Sequence, residues 1–250
     1  MAGRDNACNL RFVVSHNITM IRTKLSGHQL QSKGARLREN DKHTEALRYL
    51  TLALVVYQKE KKYRGIVDTL KDRCLTWKHL FLLTKDRVYA ILAQKDAEAM
   101  LEISEKYELE DKFHTSYFRL GEVAMLFENY LPAVKYYQKA IKYYAGPLAE
   151  KGDYRYHLGE ALYRNGQKEK GKATMLAGLR EIQKGVNEVN PFLIHVWESG
   201  CYLRLADLLK DDEPNEARKY LELAREIANK DPELVIRRRQ IEELAKSFIK

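Results

Sequence analysis

An all-α fold is predicted from three observations. Apolar residues recur at three- and four-residue spacing along most of the chain, which is the period of a helix with one buried face. The composition is rich in Leu, Ala, Glu, Lys and Arg, with only 5 prolines in 250 residues. Alternating runs of Val, Ile and Thr, the mark of half-buried strands, are nearly absent, so no sheet is expected.

Taken in order, the spacing predicts helices near 27–39 and 42–62, 64–83 and 85–107, 112–128 and 130–144, 148–165 and 167–184, 189–209 and 213–230, and a last one near 233–249. That is five hairpins and a tail helix. The punctuation between them is chemically motivated. Arg164-Asn165-Gly166-Gln167 reads as a turn, Asp211-Asp212-Glu213-Pro214 brings acidic residues and an early proline to a helix start, and Asp231-Pro232 does the same for the last helix. Pro132 falls in a first helical turn, where its missing N–H is tolerated. No Gly, Ser or Pro-rich linker separates the hairpins, so one continuous domain is expected over 27–250. Residues 1–26 carry no such pattern and read as an N-terminal arm or cap.

Three small positions in each hairpin explain how the hairpins stack. Aligning them yields small-residue triads: Gly34, Ala46 and Ala53; Cys74, Ala97 and Ser104; Gly121, Ala133 and Ala140; Gly159, Gly171 and Gly178; Cys201, Ala217 and Ala224. In each triad the last two members are seven residues apart, and four residues after the second sits a large side chain: Leu50, Leu101, Tyr137, Met175 or Leu221. Small side chains let two crossing helices approach while a large neighbour fills the adjoining groove. A lone hairpin cannot bury its apolar face, so a solenoid of stacked hairpins closed by a capping helix over 233–249 follows. Gly171 and Gly178 each cost about 1 kcal/mol against alanine inside a helix. Either the fifth hairpin packs unusually close to them, or their helix is a flexible joint.

The bulk chemistry excludes more than it identifies. The apolar stretches Leu10 to Val14 and Ile18 to Ile21 are short and interrupted, so neither a signal peptide nor a membrane span is expected, and a cytoplasmic location follows. Cys8, Cys74 and Cys201 have no CxxC or zinc spacing and read as reduced thiols. The net charge of +9 invites an acidic partner, yet Lys and Arg are interspersed with Asp and Glu nearly everywhere. HExxH, GxxxxGK and GxGxxG are absent and the 7 histidines are dispersed, so no catalytic residue, cofactor or metal is expected. His157 alone invites a general-base reading, although a lone His on a helix is more often structural.

Tyr117-x2-Leu120-Gly121 followed by Ala133-x3-Tyr137-x2-Ala140 resembles the tetratricopeptide repeat (TPR). The fourth hairpin is similar through Leu158-Gly159 and Leu162, the first through Leu30, Gly34, Ala46 and Ala53, and the fifth through Trp197, Ala217, Leu221 and Ala224. The leading small residues fall at 34, 74, 121, 159 and 201, intervals longer than the family unit, so longer helices are expected. The resemblance implies a right-handed superhelix whose concave groove, lined by the first helix of each pair, binds another protein or peptide. It places Thr115, Phe118, Arg119 and Glu122, then Asp153, Tyr156, His157, Glu160 and Tyr163, then Glu198 and Tyr202 on that groove. The subtype that clamps chaperone C-termini does not fit. Its positions carry Gln31, Ala35, Asp72 and His157, with Arg119 the sole residue of the right kind.

The expectation is therefore a non-enzymatic interaction scaffold with a polypeptide partner and no membrane role. Two alternatives stand beside it. One is a nucleic-acid-binding repeat that uses Lys135, Lys139 and Lys142. The other is a regulatory sensor whose pitch responds to a small ligand or peptide.

Overall fold

In the computed structural model, which describes residues 25–248, eleven α-helices follow one another and end in a 3-10 turn. The helices are α1 (Gly27–Glu39), α2 (His43–Lys59), α3 (Tyr63–Thr84), α4 (Arg87–Lys106), α5 (Glu110–Leu126), α6 (Tyr130–Tyr143), α7 (Leu148–Arg164), α8 (Lys168–Lys184), α9 (Pro191–Leu209), α10 (Pro214–Asn229) and α11 (Val235–Ala245). Each odd-numbered helix up to α9 pairs with its successor, and each pair packs on the next, which makes five stacked hairpins. Of residues 1–26, read as an arm or cap, 1–24 lie outside the described residues, and Ser26 is the residue that caps α1. Among the described residues no helix is long and apolar enough to cross a membrane.

Short connections are closed by a repeated backbone device. Asp41, Lys61, Glu108, Glu128 and Gly166 adopt positive φ immediately after the residue that caps a helix. In each case the following N–H reaches five residues back, as in Lys62 to the Tyr57 carbonyl at 2.9 Å and Gln167 to the Leu162 carbonyl at 3.0 Å. These are Schellman closures, which satisfy helix-end carbonyls and reverse the chain within three residues. A left-handed residue is usually glycine there, yet only Gly166 is one, so four of these turns have no glycine to announce them.

The small-residue triads are all buried, and the glycines among them show why. A Cβ on Gly34 would lie 2.7 Å from the Leu50 side chain, one on Gly121 2.6 Å from the Tyr137 ring, and one on Gly159 2.5 Å from Met175. The large residue on the second helix of a hairpin thus sits directly on the small residue of the first. The second hairpin departs from the pattern. Leu101 is only half-buried there, and Met100, fully buried with Val67 and Leu70, is the core residue. Met100 stands on the same face as the buried Ala93, Ala97 and Ser104, so here the large core residue comes three positions after the small one, not four.

The fourth hairpin corrects the expectation for Gly171 and Gly178. The close neighbour is α7 of the same hairpin, not the fifth hairpin. A Cβ on Gly178 would lie 2.5 Å from the Gly152 carbonyl oxygen and 2.7 Å from the Tyr156 nitrogen, and one on Gly171 would lie 2.5 Å from the Tyr163 nitrogen. Backbone meets backbone along most of this pair, a dense contact that supports close packing over a loose joint.

The tail helix begins at Val235, two residues later than its acidic and proline signal suggests. Arg238 is the reason. Its guanidinium donates to the carbonyls of Asp231 at 2.7 Å, Pro232 at 2.7 Å and Ala228 at 3.1 Å, holding 231–234 as a turn and fixing the angle between α10 and α11.

Candidate binding groove

The odd-numbered helices face inward. Residues of α1, α3, α5, α7, α9 and α11 all line one central cavity of about 150 Å³. Two wider recesses adjoin it, one of about 410 Å³ reaching toward Leu82 and Glu160 and one of about 500 Å³ between the end of α3, α9 and α11.

Helical spacing sets up the inner face. On α5, Thr115, Phe118, Arg119 and Glu122 lie three and four residues apart, and Asp153, Tyr156, His157 and Glu160 repeat that spacing on α7. The structure brings together Phe118, Arg119, Glu122, Asp153, Tyr156 and His157 at the central cavity, with Glu160 in the adjoining recess. Thr115, Tyr163, Glu198 and Tyr202 border neither. Thr115 is buried in the stack. Tyr163 turns toward α8, with its ring beneath the Lys168 ammonium at 5.8 Å. Gln183 of α8 donates to Glu198 at 2.9 Å and to the Tyr202 hydroxyl at 3.3 Å, so those two sit on the α8–α9 side.

Aromatic packing fixes the walls. Phe118 stacks on Tyr154 at 4.2 Å, and Tyr156 stacks on the His157 ring at 4.2 Å. The tyrosine-rich third and fourth hairpins use Tyr117, Tyr137, Tyr144, Tyr154 and Tyr156 as core, while Tyr143 stays exposed.

Charges along the groove form a chain of pairs. Lys78 and Arg119 both hold the Glu122 carboxylate. Arg164 and Arg204 hold Glu160 at 3.1 Å and 3.2 Å, and Arg164 also reaches Asp207 at 2.9 Å. Burial alone would push the Glu122 carboxyl up, but the two flanking cations outweigh it and hold the group well below the ordinary carboxylate range. Burial likewise drives the His157 imidazole far below its usual value, so the ring is neutral.

Asp153 behaves in the opposite way to Glu122. Its nearest polar partner is His157 Nε2 at 3.7 Å, and burial, reinforced by Glu122 and Glu150, pushes its carboxyl up to about 8. The folded protein therefore keeps a proton that the unfolded chain releases near pH ~4. Stability falls as pH rises from about 4 to about 8 on this account. Asp153→Asn is expected to melt above the wild type at pH 8, with the advantage shrinking as the pH is lowered toward about 4. Parallel melting curves across that range would show that Asp153 titrates normally.

Lys78, His79, Arg204 and Arg237 also line the cavity and were not singled out from the sequence. Lys78 and His79 belong to the hairpin whose pattern is most degenerate, and Arg237 to the helix expected only to cap.

The fold and this inward-facing groove define a TPR-like helical-repeat protein. The chain is similar to the nearly identical TPR-like repeats of a Podosopora anserina protein described as a kinesin light chain. The identity is 14%, the TM-score is 0.52, and the similarity covers 82% of this chain and 96% of that one. A variant of that protein aligns at 15% identity and TM-score 0.54, covering 81% of this chain and 94% of the other. At such identity the likeness is one of fold. No protein-family model matches the chain, and no curated protein does.

Proposed function

We propose that the chain is a non-enzymatic scaffold whose concave groove binds a polypeptide segment. The observation that supports this most is the charge balance of the groove. Lysine and arginine side chains alternate with carboxylates in nearly equal number, among apolar faces such as Phe118, Leu82 and Met125. A phosphate backbone selects a strongly positive surface, because its affinity comes from cations that displace counterions. A polypeptide, with its own mixed charges and apolar side chains, suits a mosaic of this kind. A preformed surface built on packed helices also lowers the ordering cost of binding.

Lys135, Lys139 and Lys142 on α6 are exposed and line none of these cavities. That separates the two readings experimentally. Affinity capture would compare the wild type with Leu82→Glu, in the groove, and with a Lys135→Glu/Lys139→Glu/Lys142→Glu variant, each checked for native helicity. A polypeptide retained at high salt, lost with Leu82→Glu and kept by the triple variant supports the groove. Nucleic acid released by salt and lost with the triple variant would overturn it.

A further inference from the structure

The groove already has an occupant. Helix α11 lies across its mouth, with Leu234, Arg237 and Gln240 forming one wall of the central cavity. Arg237 reaches inward from α11 and is half-buried, yet among the described residues no carboxylate lies within ion-pair distance of it. Its guanidinium donates to the Val196 carbonyl at 3.2 Å and to Gln240 Oε1 at 3.0 Å, and its Nε has no partner. The space it needs exists because position 200 is glycine. A Cβ there would lie 2.9 Å from both the Arg237 Nη2 and the Tyr156 hydroxyl. Two residues on, Arg239 pairs with Asp41 in the turn between α1 and α2, a contact between residues 198 apart in sequence. The last helix thus reaches the first hairpin through this ion pair, while it packs on α9 and α10.

The attachment of α11 is uneven. Toward α10 it is firm, through Arg238 and the buried Leu234 and Ile241. Toward the groove, beyond its packing on α9, it rests on a half-buried arginine that has no carboxylate partner among the described residues and on one ion pair whose side chains are 36% and 29% exposed, a kind of contact that solvent weakens. A guanidinium desolvated without a carboxylate is costly, and burial lowers its proton affinity. Asp153, also on the cavity wall, is a carboxyl with no Lys or Arg within ion-pair distance among the described residues. An arginine entering from a different angle would find the pairing that Arg237 does not make.

We infer that α11 is an internal ligand of the groove, and that the polypeptide which binds there is an arginine-bearing helix that displaces it by taking up the sites of Arg237 and Arg239. This rests on the reading of the groove as a polypeptide site. Two features make α11 the template for that partner: its apolar Ile236 and Ile241 are buried on the stack, and its consecutive arginines Arg237, Arg238 and Arg239 diverge to the cavity, the α10 turn and Asp41. Helix-in-groove recognition of this type reads side chains at three- and four-residue spacing.

The test uses the full chain with two latch variants, Arg239→Glu and Asp41→Asn. The second keeps a residue tolerant of the positive φ at position 41, so it reports even if the first folds poorly. Spin labels at Thr44→Cys and Lys246→Cys, on a Cys8→Ser background, measure the distance between the first hairpin and α11. A fluorescein-labelled peptide of residues 232–248 is the binding probe. The expected result is a longer, broader distance distribution in both variants, with peptide binding about fivefold tighter than in the wild type for Arg239→Glu, the scale of losing one exposed ion pair, and near the wild-type value for Asp41→Asn, which takes the same pair from α11 and from the peptide. The same peptide with its three arginines replaced by glutamine should not bind. An unchanged distance would overturn the latch and make α11 a fixed cap, while leaving the groove reading to its own test. A widened distance in Arg239→Glu without tighter peptide binding would overturn α11 as a ligand and would also count against the groove as a polypeptide site.

Discussion

Replacing Gly178 with alanine is expected to destabilise the protein by about 3 kcal/mol, at the upper end of ordinary overpacking. For a chain of this size that is a fall in melting temperature of roughly 6 to 12 °C. The sign is the informative part. On helix propensity alone the same change should stabilise by about 1 kcal/mol, because alanine loses less backbone entropy than glycine. The added methyl instead meets the Gly152 carbonyl oxygen at 2.5 Å and the Tyr156 nitrogen at 2.7 Å, and neither can rotate away as a side-chain tip would. Helices α7 and α8 would have to separate. That movement would carry Tyr156, which lies on the groove face of α7, so the loss should be accompanied by altered near-ultraviolet dichroism from the tyrosine stack. A melting temperature equal to or above the wild type would mean that the two helices are not in backbone contact and that the glycines serve mobility.

The glycines illustrate how far the sequence reaches. Their helical position and their cost were readable, and so was the need for something close by. Which helix comes close was not readable, because a small residue declares a close approach without naming its partner. The answer lies in the facing glycines: Gly152 and Gly178 each face the other's carbonyl, Gly159 faces the Gly171 carbonyl, and Gly171 faces the Tyr163 backbone, so all four glycines serve the approach of α7 and α8. Gly152 was the signal that completes the pattern. Helix ends were equally legible where the chemistry is local, as at Glu213-Pro214, where α10 begins at the proline that the sequence marks. They were less so at Glu128 and Lys61, where the chain turns through positive φ without glycine.

Legibility of the groove followed the same division. Periodicity put the inner residues of α5 and α7 on common faces, and the structure gathers Phe118, Arg119, Glu122, Asp153, Tyr156 and His157 around one cavity. It could not supply the partners that reach them from afar, since Lys78 meets Glu122 across 44 residues and Arg239 meets Asp41 across 198. Nor could it say where a face ends. Tyr163 and Tyr202 continue the same spacing, yet they fall beyond the curve of the groove and pack toward α8 and α10 instead.

Glu122 is where groove and stability meet, and its replacement by glutamine is expected to cost about 3 to 5 kcal/mol, the scale of breaking a buried ion pair by removing one partner. The carboxylate is shared by Lys78 and Arg119, whose side chains are only 14% and 12% exposed. Glutamine keeps the shape and one acceptor oxygen but leaves two buried cations facing a neutral group. Adding Lys78→Met should therefore recover part of the loss, because one orphaned charge is removed with its partner, and the coupling between the two sites would appear as non-additivity in a double-mutant cycle. If the two losses simply add, Lys78 and Glu122 do not interact. The acid side supplies a second check. Because the Glu122 carboxyl is held below its ordinary range, its contribution is fully present above the unfolded value and is lost only as the pH falls through the depressed folded one. Wild type and Glu122→Gln should consequently differ most at neutral pH and converge in strong acid. Asp153 runs the opposite way, and the Glu122 charge is one of the causes that hold its proton in place. Removing that charge should bring the Asp153 titration down toward its ordinary value, so that the loss of stability between about pH 4 and 8 becomes shallower in Glu122→Gln than in the wild type.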